Sequence, residues 1–130
     1  MILDASAVLA VIFGEPGFEV FVRAIAEAES CSISAATFVE TTMVAESRGG
    51  DTAVRQSDGF FRNAKVTIEP VSIDQAYLAC QAFSNFGKGR HPAGLNFGDC
   101  FSYALAKSKG EPLLFKGDDF RKTDLQPALL

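Results

Sequence analysis

Five acidic residues lie where apolar, strand-like segments give way to loops or helices. Asp4 follows the apolar start of the chain, Glu40 lies in the first turns of a helix after the second such segment, and Asp99 lies in the first turn of a later helix. Asp118 and Asp119 are adjacent and follow the last apolar segment. Parallel strands joined by right-handed crossovers end at the same edge of a sheet, so we expect these acids to converge there.

A cluster of this kind is suited to divalent metal chemistry. Neighbouring carboxylates repel one another, and a divalent cation relieves the repulsion. Oxygen ligands without His or Cys favour Mg²⁺ or Mn²⁺ over Zn²⁺, and the bound ion polarises a phosphoryl group and activates water. We expect Asp4 and Asp99 to be direct metal ligands, and Glu40 with Asp118 or Asp119 to hold metal-bound waters. The predicted chemistry is hydrolysis of a phosphodiester.

The helix that carries Asp99 has the clearest local signals. Asn96 is a favourable N-cap, and Asp99 lies three residues later, where the acid of a capping box is found. Phe97, Phe101 and the apolar residues 103–106 lie on nearly every side, which predicts a packed helix. Taken alone, Asp99 has a sufficient role as a cap, so the metal hypothesis depends on the whole set of acids.

Strand-like and helical segments alternate along the chain. Ser6 is the expected N-cap of the first helix. The pattern predicts strands at 1–4, 30–34, 66–71 and 112–115, and helices at 7–13, 17–28, 35–48, 51–64, 73–86 and 97–109. This alternation predicts one α/β domain over residues 1–130, in which a mainly parallel sheet is covered by helices on both faces.

Composition limits the class of protein. The chain has 130 residues, 48% of them hydrophobic, which is enough for one folded core. Its net charge of −4 argues against nucleic-acid binding by bulk charge alone. Cys31, Cys80 and Cys100 have no metal-binding spacing and are expected to be buried, reduced thiols of a cytoplasmic protein. No apolar run approaches the length of a membrane span.

Basic residues are concentrated in a glycine-rich loop at 87–94. Lys88, Arg90 and His91 in this loop, together with Lys116, are candidates for contacts with phosphate groups. His91 is the only histidine, so no Ser-His-Asp set competes with the acids. Ser6 is a candidate for a hydrogen bond within the acid cluster. Each of these residues has a simpler alternative role, as a solvated loop residue or, for Ser6, as a helix cap.

Several of these segments together resemble the PIN-domain ribonucleases, most closely the VapC toxins of bacterial toxin–antitoxin pairs. The resemblance covers nearly the whole chain. It rests on Asp4 followed by Ser6, on Glu40, on the segments Asn96–Cys100 and Lys116–Phe120, and most specifically on the stretch from Phe86 to Phe120. It implies a three-layer α/β/α fold with a short sheet of four or five strands. It also implies a metal-dependent endoribonuclease of structured RNA such as tRNA or rRNA, with a shared core of Asp4, Glu40 and Asp99.

The resemblance further implies protein partners. It predicts a homodimer and a cognate VapB-like antitoxin whose C-terminal segment blocks the acidic pocket, with the possibility of a larger assembly. The fourth acid is ambiguous, because family members often have one acid before the phenylalanine and another a few residues upstream. Here Asp118 and Asp119 are adjacent, and the sequence slightly favours Asp118.

Two other classes of function are compatible with parts of the sequence. Asp4 ends a strand as the nucleophile of an aspartate-dependent phosphatase or receiver-like domain would, although Ser6 stands where a second acid is expected. A non-catalytic protein-binding module is the other alternative, since several helices are rich in phenylalanine. Cys100 is a poor candidate for a nucleophile, because an adjacent carboxylate raises the pKa of a thiol.

Overall fold

A computed structural model describes all 130 residues and contains one sheet of four parallel strands. The strand order is β3-β2-β1-β4. Along the chain the elements are β1 (Ile2–Leu3), α1 (Ala5–Ile12), α2 (Phe18–Glu27), β2 (Ser32–Ser34), α3 (Ala35–Asn63), β3 (Thr67–Glu69), α4 (Ile73–Phe86), α5 (Phe97–Lys109), β4 (Leu113–Leu114) and a 3₁₀ turn (Asp119–Lys122). The predicted α/β class is confirmed, with strands shorter than the sequence suggested.

Helices cover both faces of the sheet, because successive strand residues point to opposite sides. Ile2 and Leu113 pack with α4 and α5 in one core cluster. Leu3 and Leu114 pack with α1, α2 and part of α3 in a second cluster. All four side chains are fully buried. The result is the predicted three-layer α/β/α arrangement.

The strand order reverses between β1 and β4. After β1 the chain adds β2 and then β3 on one side, and returns to place β4 on the other. In open parallel sheets the crevice at such a reversal, beyond the carboxyl ends of the strands, is the usual binding site. Asp4 leaves β1 at this point, and its N–H donates to Leu114 O at 3.0 Å.

Helix α3 contains a break at Gly50. This residue has φ 65° and ψ −156°, a conformation outside the helical region, and the two helical segments meet there. The sequence predicted two helices separated near Gly49–Asp51, so the boundary is confirmed. Only glycine adopts this backbone region without strain, because it lacks a Cβ.

Three local predictions are wrong. The N-cap of α1 is Asp4, whose side chain accepts from Ser6 N, whereas Ser6 lies inside the helix. Phe97 begins α5 but is 80% exposed, with its ring edge-on to that of Phe101 on the same helix. Cys80 is exposed, whereas Cys31 and Cys100 are buried as predicted. Cys80 and Phe97 therefore lie on the surface, although Ala79 and Cys100 near them in sequence are buried.

Helices α4 and α5 have clear caps, and the start of α5 follows the prediction. Ser72 accepts from Gln75 N at the start of α4. Asn96 and Asp99 form the complete capping box of α5, and Gly110 ends that helix in the left-handed conformation. None of the helices is both long enough and apolar enough to cross a lipid bilayer.

The break at Gly50 gives a stability prediction. We expect Gly50→Ala to lower the free energy of unfolding by about 1–3 kcal/mol, since a Cβ is strained in this conformation. Gly59→Ala is the matched control in the same helix, where an added Cβ meets nothing within 4 Å. It should raise stability by up to about 1 kcal/mol. Urea denaturation of both variants measures the difference, and equal effects would contradict this account of the break.

Candidate active site

Asp4 is a buried carboxylate held by three donors. Its Oδ2 accepts from Ser6 N at 3.0 Å and from Ser6 Oγ at 2.6 Å. Its Oδ1 accepts from Ser102 Oγ at 2.6 Å. Ser6 Oγ in turn accepts from Lys116 N at 2.9 Å, which ties the end of β4 to the start of α1. The expected supporting role of Ser6 beside Asp4 thus has a geometric basis.

Glu40 lies in α3 with its carboxylate against the backbone of Gly98. A Cβ at Gly98 would lie 2.6 Å from Glu40 Cδ and 2.7 Å from Oε1, so only glycine leaves room for this carboxylate. Burial, with the charges of Asp4 and Asp99, raises the pKa of Glu40 to about 7. The three acids therefore lie close enough to act on one another, as the sequence predicted.

Asp99 has two roles at the start of α5. Its Oδ2 accepts from Asn96 N at 3.0 Å, which completes the capping box. Burial raises the pKa of Asp99 to about 6, the hydrogen bond from the Asn96 backbone opposes the shift, and the charges of Asp4 and Asp119 add to it. Asp99 is therefore both the capping acid of α5 and a neighbour of other carboxylates.

The electrostatics distinguish the two adjacent acids after β4. Asp119 is one of the charges that raise the pKa of Asp99, and Asp118 is not among them. Asp118 and Asp119 are both exposed, and Asp118 precedes the 3₁₀ turn without a side-chain cap hydrogen bond. The geometry therefore favours Asp119 over the sequence-based preference for Asp118. We call Asp4, Glu40, Asp99 and Asp119 the acid cluster.

No cation of the protein neutralises the acid cluster. Six ion pairs are present, and none includes a residue of the cluster or Asp118. Lys116 is close by in sequence, but its Nζ binds Glu15 Oε1 at 2.7 Å. Arg48 Nη1 binds the other oxygen of Glu15 at 3.2 Å, and these two cations lower the pKa of Glu15.

The predicted phosphate-binding residues of the 87–94 loop do not form ion pairs with the acids. Lys88 is exposed, and Arg90 is exposed with its guanidinium 5.4 Å from the centroid of the Phe83 ring. His91 is half-buried, where its Nδ1 accepts from Ala93 N at 3.0 Å and its ring packs edge-on against Phe86. His91 therefore has a structural role within the loop.

Comparison with known proteins identifies the family. The PIN domain family matches residues 1–125. A ribonuclease VapC from Mycolicibacterium smegmatis is 47% identical over 125 residues, which cover 96% of this chain and 97% of that protein. Ribonuclease VapC30 from Mycobacterium tuberculosis is 45% identical over 130 residues, with coverage of 100% and 99%. The chain belongs to the VapC family of PIN-domain proteins.

Solved structures of low sequence identity share the PIN-domain fold. VapC20 from Mycobacterium tuberculosis, a sarcin–ricin loop cleaving toxin, superposes with a TM-score of 0.79 at 19% identity, covering 95% of each chain. VapBC2 from Rickettsia felis, bound to a DNA fragment from its promoter, gives 0.75 at 15% identity, covering 97% of this chain and 95% of that chain. The resemblance inferred from sequence is confirmed at the level of family and fold.

The acid cluster of this PIN domain fits a divalent cation that is only partly bound by protein. No group of three or more His, Cys, Asp or Glu side chains is arranged to hold a metal ion by itself. Mg²⁺ is typically bound through one or two carboxylates, with water filling its other positions. Half-buried acids with raised pKa values and no paired cation are consistent with such a site. Only oxygen donors are available, as the sequence indicated.

Sequence reasoning missed two hydroxyl groups beside the acid cluster. Ser102 contacts Asp4, and Thr37 Oγ1 lies 3.2 Å from Ser102 Oγ. Each hydroxyl is three residues from an acid on the same helix, Thr37 from Glu40 and Ser102 from Asp99. The signal available in the sequence was a hydroxyl residue one helical turn from a candidate acid.

A second surface feature of the PIN domain lies beside the acid cluster. Helices α4 and α5 form an open groove with seven apolar lining residues: Ala76, Ala79, Cys80, Phe83, Phe97, Cys100 and Phe101. We call it the α4–α5 groove. Cys100 in its floor has a pKa raised to about 11, first by burial and then by Asp99, which agrees with the prediction that it is no nucleophile. The exposed Phe97 lines the groove and lies two residues before Asp99 of the acid cluster in α5.

The raised pKa of Glu40 gives a prediction about pH. The folded protein retains on Glu40 a proton that the unfolded chain releases near the ordinary value of 4.5. The contribution of Glu40 to the free energy of unfolding is fully present below pH 4.5. It is lost as the pH rises through about 7. Glu40→Gln should therefore raise the unfolding free energy of metal-free protein at pH 8 by about 1–2 kcal/mol, after allowance for solvent screening, and much less at pH 5.

Urea denaturation in the presence of a chelator measures this difference. Glu46→Gln is the matched control, because Glu46 is an exposed acid in the same helix. An equal gain for Glu40→Gln at both pH values would contradict the electrostatic account.

Proposed function

We propose that this protein is a divalent-metal-dependent endoribonuclease toxin that hydrolyses phosphodiester bonds of structured RNA and is inhibited by a cognate antitoxin. One observation carries the proposal. Carboxylates from three separate elements meet beyond the edge of a parallel sheet, where burial and then the neighbouring acids raise the pKa values of Glu40 and Asp99, and none of them is in an ion pair with a cation of the protein. A metal ion that is bound among these carboxylates and acts on a phosphate group would account for their convergence.

The relatives support the activity and the class of substrate. Two relatives at 45–47% identity, which match nearly their whole length, are named ribonucleases. A structural neighbour is a toxin that cleaves the sarcin–ricin loop, which motivates folded RNA such as tRNA or rRNA as the substrate class. The strand order β3-β2-β1-β4 differs from the 2-1-3-4-5 order of receiver-like folds, which weighs against the receiver-like alternative.

Each acid has an assigned role in the proposed reaction. Asp4 and Asp99 would hold Mg²⁺ or Mn²⁺, and Glu40 and Asp119 would orient waters around it. When bound, the ion supplies an activated water and neutralises charge on the phosphate during in-line displacement. Asp4 is fixed by its hydrogen bonds and Asp99 by its cap, so the chain keeps both ligands in place before substrate arrives.

Basic side chains on both sides of the acid cluster would contact the RNA backbone. Lys116 and Arg48 lie on one side, where Glu15 holds both. Arg90 and Lys88 lie in the loop before α5 and are exposed. Local basic groups of this kind reconcile the net charge of −4 with a polyanionic substrate, since phosphate contacts position a nucleic acid without demanding overall positive charge.

The activity is tested by Asp99→Asn. The amide retains an oxygen for the Asn96 cap, so the fold should persist while a metal ligand is lost. Loss of an outer partner of a metal site already costs about 10–100-fold, so we expect at least about a 100-fold lower rate of RNA cleavage in Mg²⁺. Cleavage of total bacterial RNA, with mapping of the new ends, measures this. A variant that cut at the wild-type rate would defeat the assignment.

Two controls sharpen that experiment. Asp119→Asn should lower the rate by about 10-fold or more and Asp118→Asn by less than about 3-fold, since only Asp119 acts on Asp99. Addition of the cognate antitoxin should suppress cleavage by the wild type. The reverse order of the two variants would make Asp118 the fourth acid.

We also propose that the protein forms a homodimer through the α4–α5 groove and, with its antitoxin, a larger complex. Phe97 is 80% exposed, and Ile73 and Tyr77, on α4, are 79% and 69% exposed. A contiguous exposed apolar surface of this kind is typical of a protein interface. Structural neighbours include a toxin–antitoxin complex from Klebsiella pneumoniae, which motivates the antitoxin partner.

The dimer is tested by Phe97→Ser. Removal of this exposed ring should shift purified protein from dimer toward monomer, because the aromatic surface that the contact buries is lost. Light scattering after size-exclusion chromatography measures the mass. Val20→Ser is the matched control, since Val20 is an exposed apolar residue on α2, outside the groove. Equal masses for wild type and Phe97→Ser would remove this interface.

A further inference from the structure

Two hydroxyl groups link the three elements that carry Asp4, Glu40 and Asp99 of the acid cluster. Ser102 Oγ donates to Asp4 Oδ1 at 2.6 Å, and Ser102 and Thr37 lie 3.2 Å apart at their hydroxyl oxygens. A serine hydroxyl has one proton, and Ser102 uses it on Asp4. Thr37 is therefore the donor to Ser102 Oγ. The chain of hydrogen bonds runs from Thr37 to Ser102 to Asp4, and we call it the hydroxyl relay.

The hydroxyl relay is closed to solvent. Ser102 is 0% exposed, Thr37 is 1% exposed and Asp4 is 4% exposed. Water cannot substitute for a missing partner at such a position without a cavity, so an unmet donor or acceptor there is costly. Thr37, Ser102 and Asp4 meet these hydrogen-bonding needs through one another, so the relay fixes the relative placement of the three elements that carry them.

The position of each hydroxyl on its helix gives the relay a specific consequence. Thr37 lies one helical turn before Glu40 on α3, and Ser102 lies one turn after Asp99 on α5. Residues three apart lie on the same face of a helix. A bond that joins Thr37, Ser102 and Asp4 therefore also fixes how far Glu40 and Asp99 stand from Asp4.

The relay also limits how Asp4 can bind a cation. A carboxylate has about four acceptor sites. The Ser6 N–H and hydroxyl occupy two of them on Oδ2, and Ser102 occupies one on Oδ1. One site on Oδ1 remains, and the bond from Ser102 determines where it points.

We propose that Ser102 and Thr37 are positioning residues of the metal site, which set the spacing of the three carboxylates and direct the free acceptor site of Asp4 toward the cation. The inference rests on the proposed function, because it assumes that the acid cluster binds a divalent ion. Neither residue touches the reacting groups. Their effect on catalysis passes through Asp4, Glu40 and Asp99.

The test is binding of Mn²⁺ to purified, metal-free protein, followed by the electron paramagnetic resonance signal of the free ion. Ser102→Ala should raise the dissociation constant about 10-fold or more, which is the effect of losing an outer partner of a metal ligand. Thr37→Val, which keeps the shape and removes the hydroxyl, should raise it less, by about 3-fold. Thr37→Ser, which keeps the hydroxyl, should restore wild-type binding.

A matched control separates positioning from stability. Ser57 is a buried serine of α3, and its hydroxyl has no hydrogen-bond partner. Ser57→Ala should leave the Mn²⁺ dissociation constant unchanged. If Ser102→Ala fails to fold, the comparison of Thr37→Val with Thr37→Ser still decides the question. In RNA cleavage, the relay variants should require more Mg²⁺ for half-maximal rate and approach the wild-type rate at saturating Mg²⁺.

The outcomes distinguish this inference from the proposed function. Wild-type Mn²⁺ affinity in both Ser102→Ala and Thr37→Val would overturn the positioning role. Absence of Mn²⁺ binding by the wild type would overturn it together with the metal site. A wild type that binds Mn²⁺ more tightly than Ser102→Ala but cleaves no RNA would support the relay and contradict the nuclease proposal.

Discussion

Withdrawal of neighbouring carboxylates from water is the constraint on which the structure of the site depends. Glu40 and Asp99 have pKa values raised to about 7 and about 6 because they are withdrawn from water and stand near other acids. Such an arrangement opposes folding unless other parts of the chain enforce it. The four-stranded sheet, the first part of α3 and the cap of α5 together bring the acids to one edge. The free energy of the hydrophobic cores on both faces sustains the placement.

A different set of neighbouring groups holds each acid in place. Asp4 is surrounded by donors from Ser6 and Ser102, so its charge is met by hydrogen bonds instead of a cation. Asp99 is held by the Asn96 backbone within the capping box. Glu40 fits only because Gly98 has no side chain. Each device leaves the carboxylates free of a salt bridge, which would compete with an incoming metal ion.

The basic residues near the site are kept apart from the acids. Glu15 binds both Lys116 and Arg48, so Lys116 does not reach the acid cluster although its backbone is bonded to Ser6. One acid of the chain thus pairs with two cations, and neither of them pairs with the acid cluster.

The sequence by itself determined the class of fold, the order of elements, the capping box of α5 and the set of acids, because helix caps, apolar periodicity and strand ends are local signals. The sequence also contains enough of the family's motifs to indicate a PIN domain. Only the tertiary structure decided that Asp119 is the acid that acts on Asp99, that Phe97 and Cys80 are on the surface, and that Ser102 and Thr37 support Asp4. These features depend on which helix faces meet. Contacts between residues 65 or 98 positions apart follow from packing of the whole chain, and no short stretch of sequence specifies them.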